Sequence, residues 1–295
     1  MASQMDKPEA AANLAIKEAG ELLHVPAPTL RSWERRYGLP TTARSAGGHR
    51  RYTSEALNQL RLMRDEIAIG RPAADSARWV RGLLEVTNPA RERIDAVLAA
   101  STAMNSAAIV GLLEQARIEL GLGSTIDEVL LPSMRQIGSW WETGLCDVDQ
   151  EHFTTEVVRG WLAKMITLAP PPESEHGVLL AVGPRDFHTL GLECLAAHLV
   201  YQGVGCRVLG SRTPQRVITA AIAATSPAAV VIVSHLSTSR RTTVESLHAV
   251  DKTGCPTFYA GNAFMFEPSR KQVPGTYLGE TIAGASRALV AALSQ

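Results

Sequence analysis

In the last third of the chain, short apolar runs alternate with longer amphipathic stretches. Val178-Leu179-Leu180-Ala181-Val182 ends at Gly183-Pro184, and Cys206-Arg207-Val208-Leu209 follows. Ala229-Val230-Val231-Ile232-Val233, Thr257-Phe258-Tyr259-Ala260 and Thr276-Tyr277-Leu278 complete the series. Between them, Thr189 to Tyr201, a segment opened by Pro214, residues 240–251 and the Ala-rich C-terminus read as helices. Strands that are apolar on both faces and alternate with helices predict a parallel sheet covered on both sides. Five such strands in about 120 residues suit a flavodoxin-like α/β domain.

The period changes upstream. Arg91 to Ala100, Asn105 to Leu120, Ser124 to Trp140 and Gln150 to Leu168 carry apolar residues at three- and four-residue spacing, with breaks at Gly121, Gly123 and Gly144. Four amphipathic helices with short connections predict an antiparallel bundle. Pro170-Pro171-Pro172 and the charges after it read as a linker between bundle and sheet. Nearer the N-terminus, residues 15–23 predict a short helix, His24-Val25-Pro26 a turn, and Ala27 to Tyr37 a second helix ended by Gly38. The expected organisation is multidomain: an all-α winged helix–turn–helix over 1–85, a four-helix bundle over 90–168, and the flavodoxin-like α/β parallel sheet over 176–295.

Composition narrows the class. The 29 basic and 29 acidic residues cancel, so a nucleic-acid site must be local rather than global. No run approaches the roughly 18 apolar residues of a membrane helix. Met1 to Asn13 is polar and lacks a signal-peptide core. The four cysteines form no CxxC pair, which argues against a disulfide framework or structural zinc. The expectation is a cytoplasmic protein with no membrane partner.

The local charge lies between Arg31 and Arg51. Arg31, Arg35, Arg36, Arg44, Arg50 and Arg51 face a single acid, Glu34, so six minus one leaves +5. Such a patch on helix–turn–helix spacing, followed by Gly47-Gly48 flanked by arginines, is an electrostatic footprint for phosphates with a wing. Thr29-Leu30-Arg31-Ser32-Trp33-Glu34-Arg35-Arg36-Tyr37-Gly38-Leu39, followed by Gly47-Gly48-His49-Arg50-Arg51-Tyr52, resembles the winged helix–turn–helix of the MerR family. The resemblance implies double-stranded operator DNA as partner. It puts Arg31, Trp33 and Arg36 at the major groove and makes His49, Arg50 and Arg51 the wing. The long dimerising helix typical of that family is interrupted by Gly82 and Asn88-Pro89.

A second set of polar residues falls just past the predicted strands: Asp186-Phe187-His188-Thr189-Leu190-Gly191, Ser234-His235-Leu236-Ser237 and Ala260-Gly261-Asn262. Ligands of open α/β sheets bind beyond the carboxyl ends of the strands, so these segments converge on one site. A histidine with a carboxylate two residues before it fits a metal ligand and its orienting partner. One histidine cannot hold a bare zinc ion, but it can supply an axial ligand to a metal already held in a macrocycle. The order Asp186-x-His188-x-x-Gly191, Ser234-x-Leu236 and Ala260-Gly261 resembles the cobalamin-binding fold of methionine synthase and the corrinoid mutases. By that resemblance His188 binds cobalt from below, Asp186 tunes it, and Gly191, Ser234, Leu236 and Gly261 line the slot for the displaced tail. Ala260 stands where the family has a first glycine and narrows that slot by about one methyl group. His198 and His248 read as ordinary surface or core residues, and His235 stays open.

In the bundle, Trp141 and the pair Glu151-His152 follow the spacing Trp-x9-Glu-His. With the order of the three segments, this is similar to the CarH/LitR family of light-dependent regulators. The resemblance implies a transcription repressor that carries adenosylcobalamin, with its cobalt, as a light-sensitive switch and works as a homo-oligomer, dimer or tetramer. Trp141 would cap the upper face, with Glu151 and His152 near the adenosyl group and Trp140 in the core. Glu142 stands where the family has a histidine after the capping tryptophan, so either His152 substitutes or no two-histidine state forms. Two other readings stay open. One is a MerR-type regulator that answers to another corrinoid or to a protein partner without light. The other is a corrinoid carrier for methyl transfer, towards which Asp186 leans and against which the DNA reader argues. No catalytic residues are expected.

Overall fold

The computed structural model describes residues 14–44, 48–68, 71–84, 89–142, 148–172 and 176–294. They fall into two compact units, one of residues 1–85 with 142–145 and one of 86–141 and 146–295.

In the first unit, α1 (Ile16–Leu23) and α2 (Ala27–Tyr37) form the helix–turn–helix, followed by a short antiparallel ribbon of β1 (Ala43–Arg44) and β2 (Arg50–Arg51). Helices α3 (Ser54–Ala68) and α4 (Ala73–Leu84) complete it. The turn needs a close approach. A Cβ on Gly20 would lie 2.8 Å from the Val25 carbonyl oxygen, so only glycine lets the chain fold back there. Leu23, Leu30, Trp33, Tyr52, Leu57, Leu60 and Met63 make the core. Burying Leu30 and Trp33, three residues apart on one face of α2, leaves Arg31, Arg35 and Arg36 on the exposed side.

The second unit begins with α5 (Pro89–Thr102) and α6 (Ser106–Leu120). The helix expected from Ser124 is composite: α7 (Leu122–Ser124), a π-helical stretch (Thr125–Leu130) and α8 (Leu131–Glu142). Helix α9 (Val148–Leu168) closes the bundle. The expected break at Gly144 lies outside the described residues. The sheet then contains β3 (Val178–Val182), β4 (Cys206–Val208), β5 (Ala229–Val233), β6 (Thr257–Ala260) and β7 (Thr276–Tyr277). All pairs are parallel in the order β4-β3-β5-β6-β7, the order found in flavodoxin-like sheets. Every residue of β3 and β5 is buried, as their unbroken apolar runs require. Helices α10 (Leu190–Tyr201) and α13 (Ile282–Leu293) pack on one face, α11 (Gln215–Thr225) and α12 (Arg240–Asp251) on the other.

Bundle and sheet share a core. Ile109, Leu113, Ile126, Val158, Trp161 and Leu162 pack with Cys194 and Ala197 of α10. A polar contact fixes the docking. The Asp127 carboxylate, in the π-helical stretch, accepts the backbone N–H of Ile282 at 2.7 Å and of Ala283 at 3.0 Å. It therefore caps α13 from another layer, satisfying amide donors that a helix start leaves open. No described helix is long and apolar enough to cross a membrane. Asp127→Ala should remove the cap at a cost of about 1 kcal/mol. Amide exchange of residues 282–283, followed by mass spectrometry, should then speed up roughly fivefold. Unchanged exchange would show that α13 starts without Asp127.

Candidate functional site

Strand β3 lies between β4 and β5, so the chain leaves it toward one neighbour and returns on the other side. The carboxyl ends of β3 and β5 thus flank a switch point, where open α/β sheets bind ligands. Asp186, fully buried, organises that end. One carboxylate oxygen accepts the His188 backbone N–H at 3.0 Å and faces His188 Nδ1 at 2.7 Å. The other accepts the backbone N–H of Leu236 at 3.2 Å and, more closely, that of His235. The Asp186 carbonyl oxygen accepts Arg212 N–H at 2.9 Å. One residue therefore ties the loops after β3, β4 and β5 together.

Burial alone would raise the Asp186 pKa, but the His188 ring and the N–H groups of His188 and His235 hold it well below the usual carboxylate range. The hydrogen bond to Asp186 raises the His188 imidazole against the opposing effect of burial. With Nδ1 engaged, Nε2 is the nitrogen left to act as a donor, and the side chain is 58 % exposed. Burial pushes the half-buried His235 down to about 4, so its ring is neutral. Its centroid lies 5.9 Å from that of His188. Phe187 stands exposed beside them, with the Arg212 guanidinium 4.7 Å over its ring.

The remaining predicted residues fall as follows. The Ser234 hydroxyl is buried without a hydrogen-bond partner. Gly261 adopts φ +101°, and a Cβ there would collide with the Ser234 carbonyl oxygen. A Cβ on Gly191 would come within 3.7 Å of the His235 ring, and Leu236 is exposed. Glu151 and His152 sit near the start of α9, where Glu151 accepts a hydrogen bond from the Thr155 hydroxyl at 3.0 Å and His152 is exposed. Trp141 and Glu142 end α8, and their side chains lie outside the described residues. His198 is buried on α10 and His248 exposed on α12. Among the described residues no group of three or more His, Cys, Asp or Glu is placed to hold a metal ion. An orphaned buried hydroxyl, a glycine-shaped recess and a single oriented imidazole together suit a macrocycle that brings its metal with it.

In the first unit Arg31, His49, Arg50 and Arg51 line one groove with Ala15, Ile16 and Gly48. Two expected contacts are modified. Trp33 is 7 % exposed and belongs to the core, so its part at the groove is to seat α2. Arg50, half-buried in the groove wall, pairs its Nε closely with the Glu34 carboxylate, which also accepts the Thr42 hydroxyl at 3.0 Å. Glu34, noted from sequence only as the lone acid in a basic stretch, thus braces the wing against α2. Asp127 and Arg212 carry no sequence signal of their role, because each meets a partner far away in the chain with no motif around it.

Asp186→Ala would strand the N–H groups of His188, His235 and Leu236 that converge on it, at a cost of about 3 kcal/mol in urea denaturation of the apoprotein. A loss below about 1 kcal/mol would show the loops held by other contacts. The pH dependence follows from the two shifts. The lowered Asp186 pKa contributes stability above about pH 4 that is lost in acid. The raised His188 pKa contributes below about pH 6.5 and is lost as the pH rises through its folded value. The melting-temperature difference between parent and His188→Gln should therefore be largest in that window. A difference that does not vary with pH would contradict the coupling.

Residues 14–81 match the model of the MerR HTH family regulatory proteins, and residues 93–165, the bundle, match that of the B12 binding domain. The HTH-type transcriptional repressor CarH of Myxococcus xanthus is 34 % identical over 226 residues, 72 % of this chain and 75 % of that protein. The repressor CarA of the same organism is 28 % identical over 220 residues, 72 % and 74 % of the two chains. The monomethylamine corrinoid protein of Methanosarcina barkeri superposes with a TM-score of 0.52 at 16 % identity, over 68 % of this chain and 98 % of that one, a likeness of fold. A MerR-type DNA reader followed by a B12-binding region, at this level of identity, means that the chain belongs to the CarH/CarA family of HTH-type transcription regulators.

Proposed function

We propose that this protein is a transcription repressor whose hold on double-stranded operator DNA is set by adenosylcobalamin and released by light. The observation that carries the reading is His188: an exposed imidazole, locked by a buried carboxylate through Nδ1, at the switch point of a parallel sheet. Bound there, adenosylcobalamin supplies a cobalt–carbon bond that visible light cleaves. His188 Nε2 would supply a nitrogen donor to its cobalt, with Asp186 fixing the ring and raising its basicity. Gly191, Ser234, Leu236 and Gly261 receive the displaced tail, and the unpartnered Ser234 hydroxyl is the polar group available to it. Trp141, Glu151 and His152 form the upper side. Residues 1–85, 90–168 and 176–295 are then the DNA reader, the cap and the cofactor platform of a homo-oligomer, dimer or tetramer. A ligand controls such a switch only through different affinities for its two states, so the adenosyl form must favour the DNA-binding assembly.

The decisive experiment loads the purified protein with adenosylcobalamin in the dark and compares absorbance, mass in solution and operator binding before and after illumination. Dark protein should be the larger species and bind DNA, and both properties should fall with the spectral change. Cofactor binding with no response to light would favour a non-photochemical regulator. His188→Ala should leave bound cobalamin without histidine ligation, and a parent-like spectrum would refute the assignment of His188.

The DNA side has its own test. Arg31 and Arg51 face a common groove, so replacing both with Ala should weaken binding and reduce the salt slope by about 2. An unchanged slope would place the interface elsewhere.

A further inference from the structure

The bundle and the sheet meet near His188 through one side chain with an unusual set of partners. Arg159, on α9, uses all three guanidinium nitrogens. Nη2 donates to the Thr189 hydroxyl at 2.9 Å, Nε to Glu193 at 3.3 Å, and Nη1 to Glu156 on its own helix at 2.8 Å. Thr189 is buried and directly follows His188, and Glu193 lies in the first turn of α10, which that loop starts. Asp186 thus holds the His188 ring from inside the sheet, while Arg159 grips the next residue from the bundle. His152 lies seven residues before Arg159, two turns along the same face of α9 and about 10 Å along its axis. The stripe His152, Glu156, Arg159 therefore runs from the upper-side residues to the loop of the lower ligand.

We propose that Arg159 is a positioning residue for His188, the contact through which the placement of the bundle and the geometry of the lower ligand constrain each other. The inference rests on the cobalamin reading above and adds to it a named route between the two faces. Asp127 anchors the bundle elsewhere, at the start of α13, so losing Arg159 leaves that docking in place while leaving the His188 loop held by Asp186 alone. The planar fork matters. Lysine carries the charge but cannot reach the Thr189 hydroxyl, Glu193 and Glu156 with the same fixed geometry.

The test uses the full chain and hydroxocobalamin as probe, with the dissociation constant and the histidine-coordinated fraction of the absorbance spectrum as readouts. Arg159→Ala should raise the dissociation constant about tenfold, the size of a lost charge-assisted pair, and lower the histidine-coordinated fraction. Arg159→Lys should restore less than half of the effect. In a His188→Ala background, Arg159→Ala should change affinity less than about twofold, because a residue that acts through His188 has nothing left to position. The same loss in both backgrounds, or no change in the spectrum, would overturn the proposal and leave Arg159 a docking contact. Should Arg159→Ala not fold, Glu193→Gln reads the same contact and should shift the spectrum in the same direction; an unshifted spectrum there would also overturn it. If His188→Ala itself leaves the affinity and spectrum of the parent unchanged, the cofactor reading fails as well, an outcome distinct from an inert Arg159.

Discussion

A single buried carboxylate makes this site possible. Asp186 has no exposed surface, and a lone buried charge would be costly. It persists because four donors converge on it: two from His188, one from His235 and one from Leu236. Those donors come from loops that the sheet order brings together and the sequence keeps about fifty residues apart. The same hydrogen bonds that stabilise the anion therefore lock the His188 ring, select its donor nitrogen and close the floor of the site. Structure and electrostatics are one arrangement here, and disturbing either disturbs both.

The rest of the second unit serves that arrangement. A fully buried β3 and β5 give the loops a rigid base. Around them stand two contacts of a different kind. Asp127 caps a helix of the sheet layer from the bundle, and Arg159 reaches from the bundle to the residue after His188. Both are polar contacts laid over a continuous apolar core of α6, α9 and α10 residues. An apolar interface tolerates small sliding, whereas directional hydrogen bonds favour particular placements. That combination suits a layer whose position carries information.

The DNA-reading unit follows the same economy with an opposite charge balance. Its basic residues are not all directed outward. Arg50 is held by Glu34, so the wing is braced by an internal ion pair while Arg31 and Arg51 line the groove. Trp33 lies under α2 with Leu30 and keeps the arginine-bearing face turned to solvent. A cluster of basic side chains needs such bracing, because like charges at close range repel.

Much of this was legible in the residues alone. Unbroken runs such as Val178 to Val182 read as strands buried on both faces, and Asp186-x-His188 after the first of them reads as a histidine with an orienting carboxylate, the pair the structure shows. The +5 segment around Thr29 to Tyr52, with its turn and glycines, marks a DNA reader. These signals are local: they depend on period, on near neighbours and on residue chemistry. Tertiary structure decided what local signals cannot carry. Only the sheet order brings the amides of residues 235 and 236 onto Asp186, and only the docking of α9 on α10 brings Arg159 to Thr189. Trp33 and Arg50 make the same point in another way, since no spacing foretold that Trp33 would be buried in the core or that Arg50 would pair with Glu34. A side chain's partner across layers depends on where two distant segments meet, and no spacing within either segment encodes that meeting.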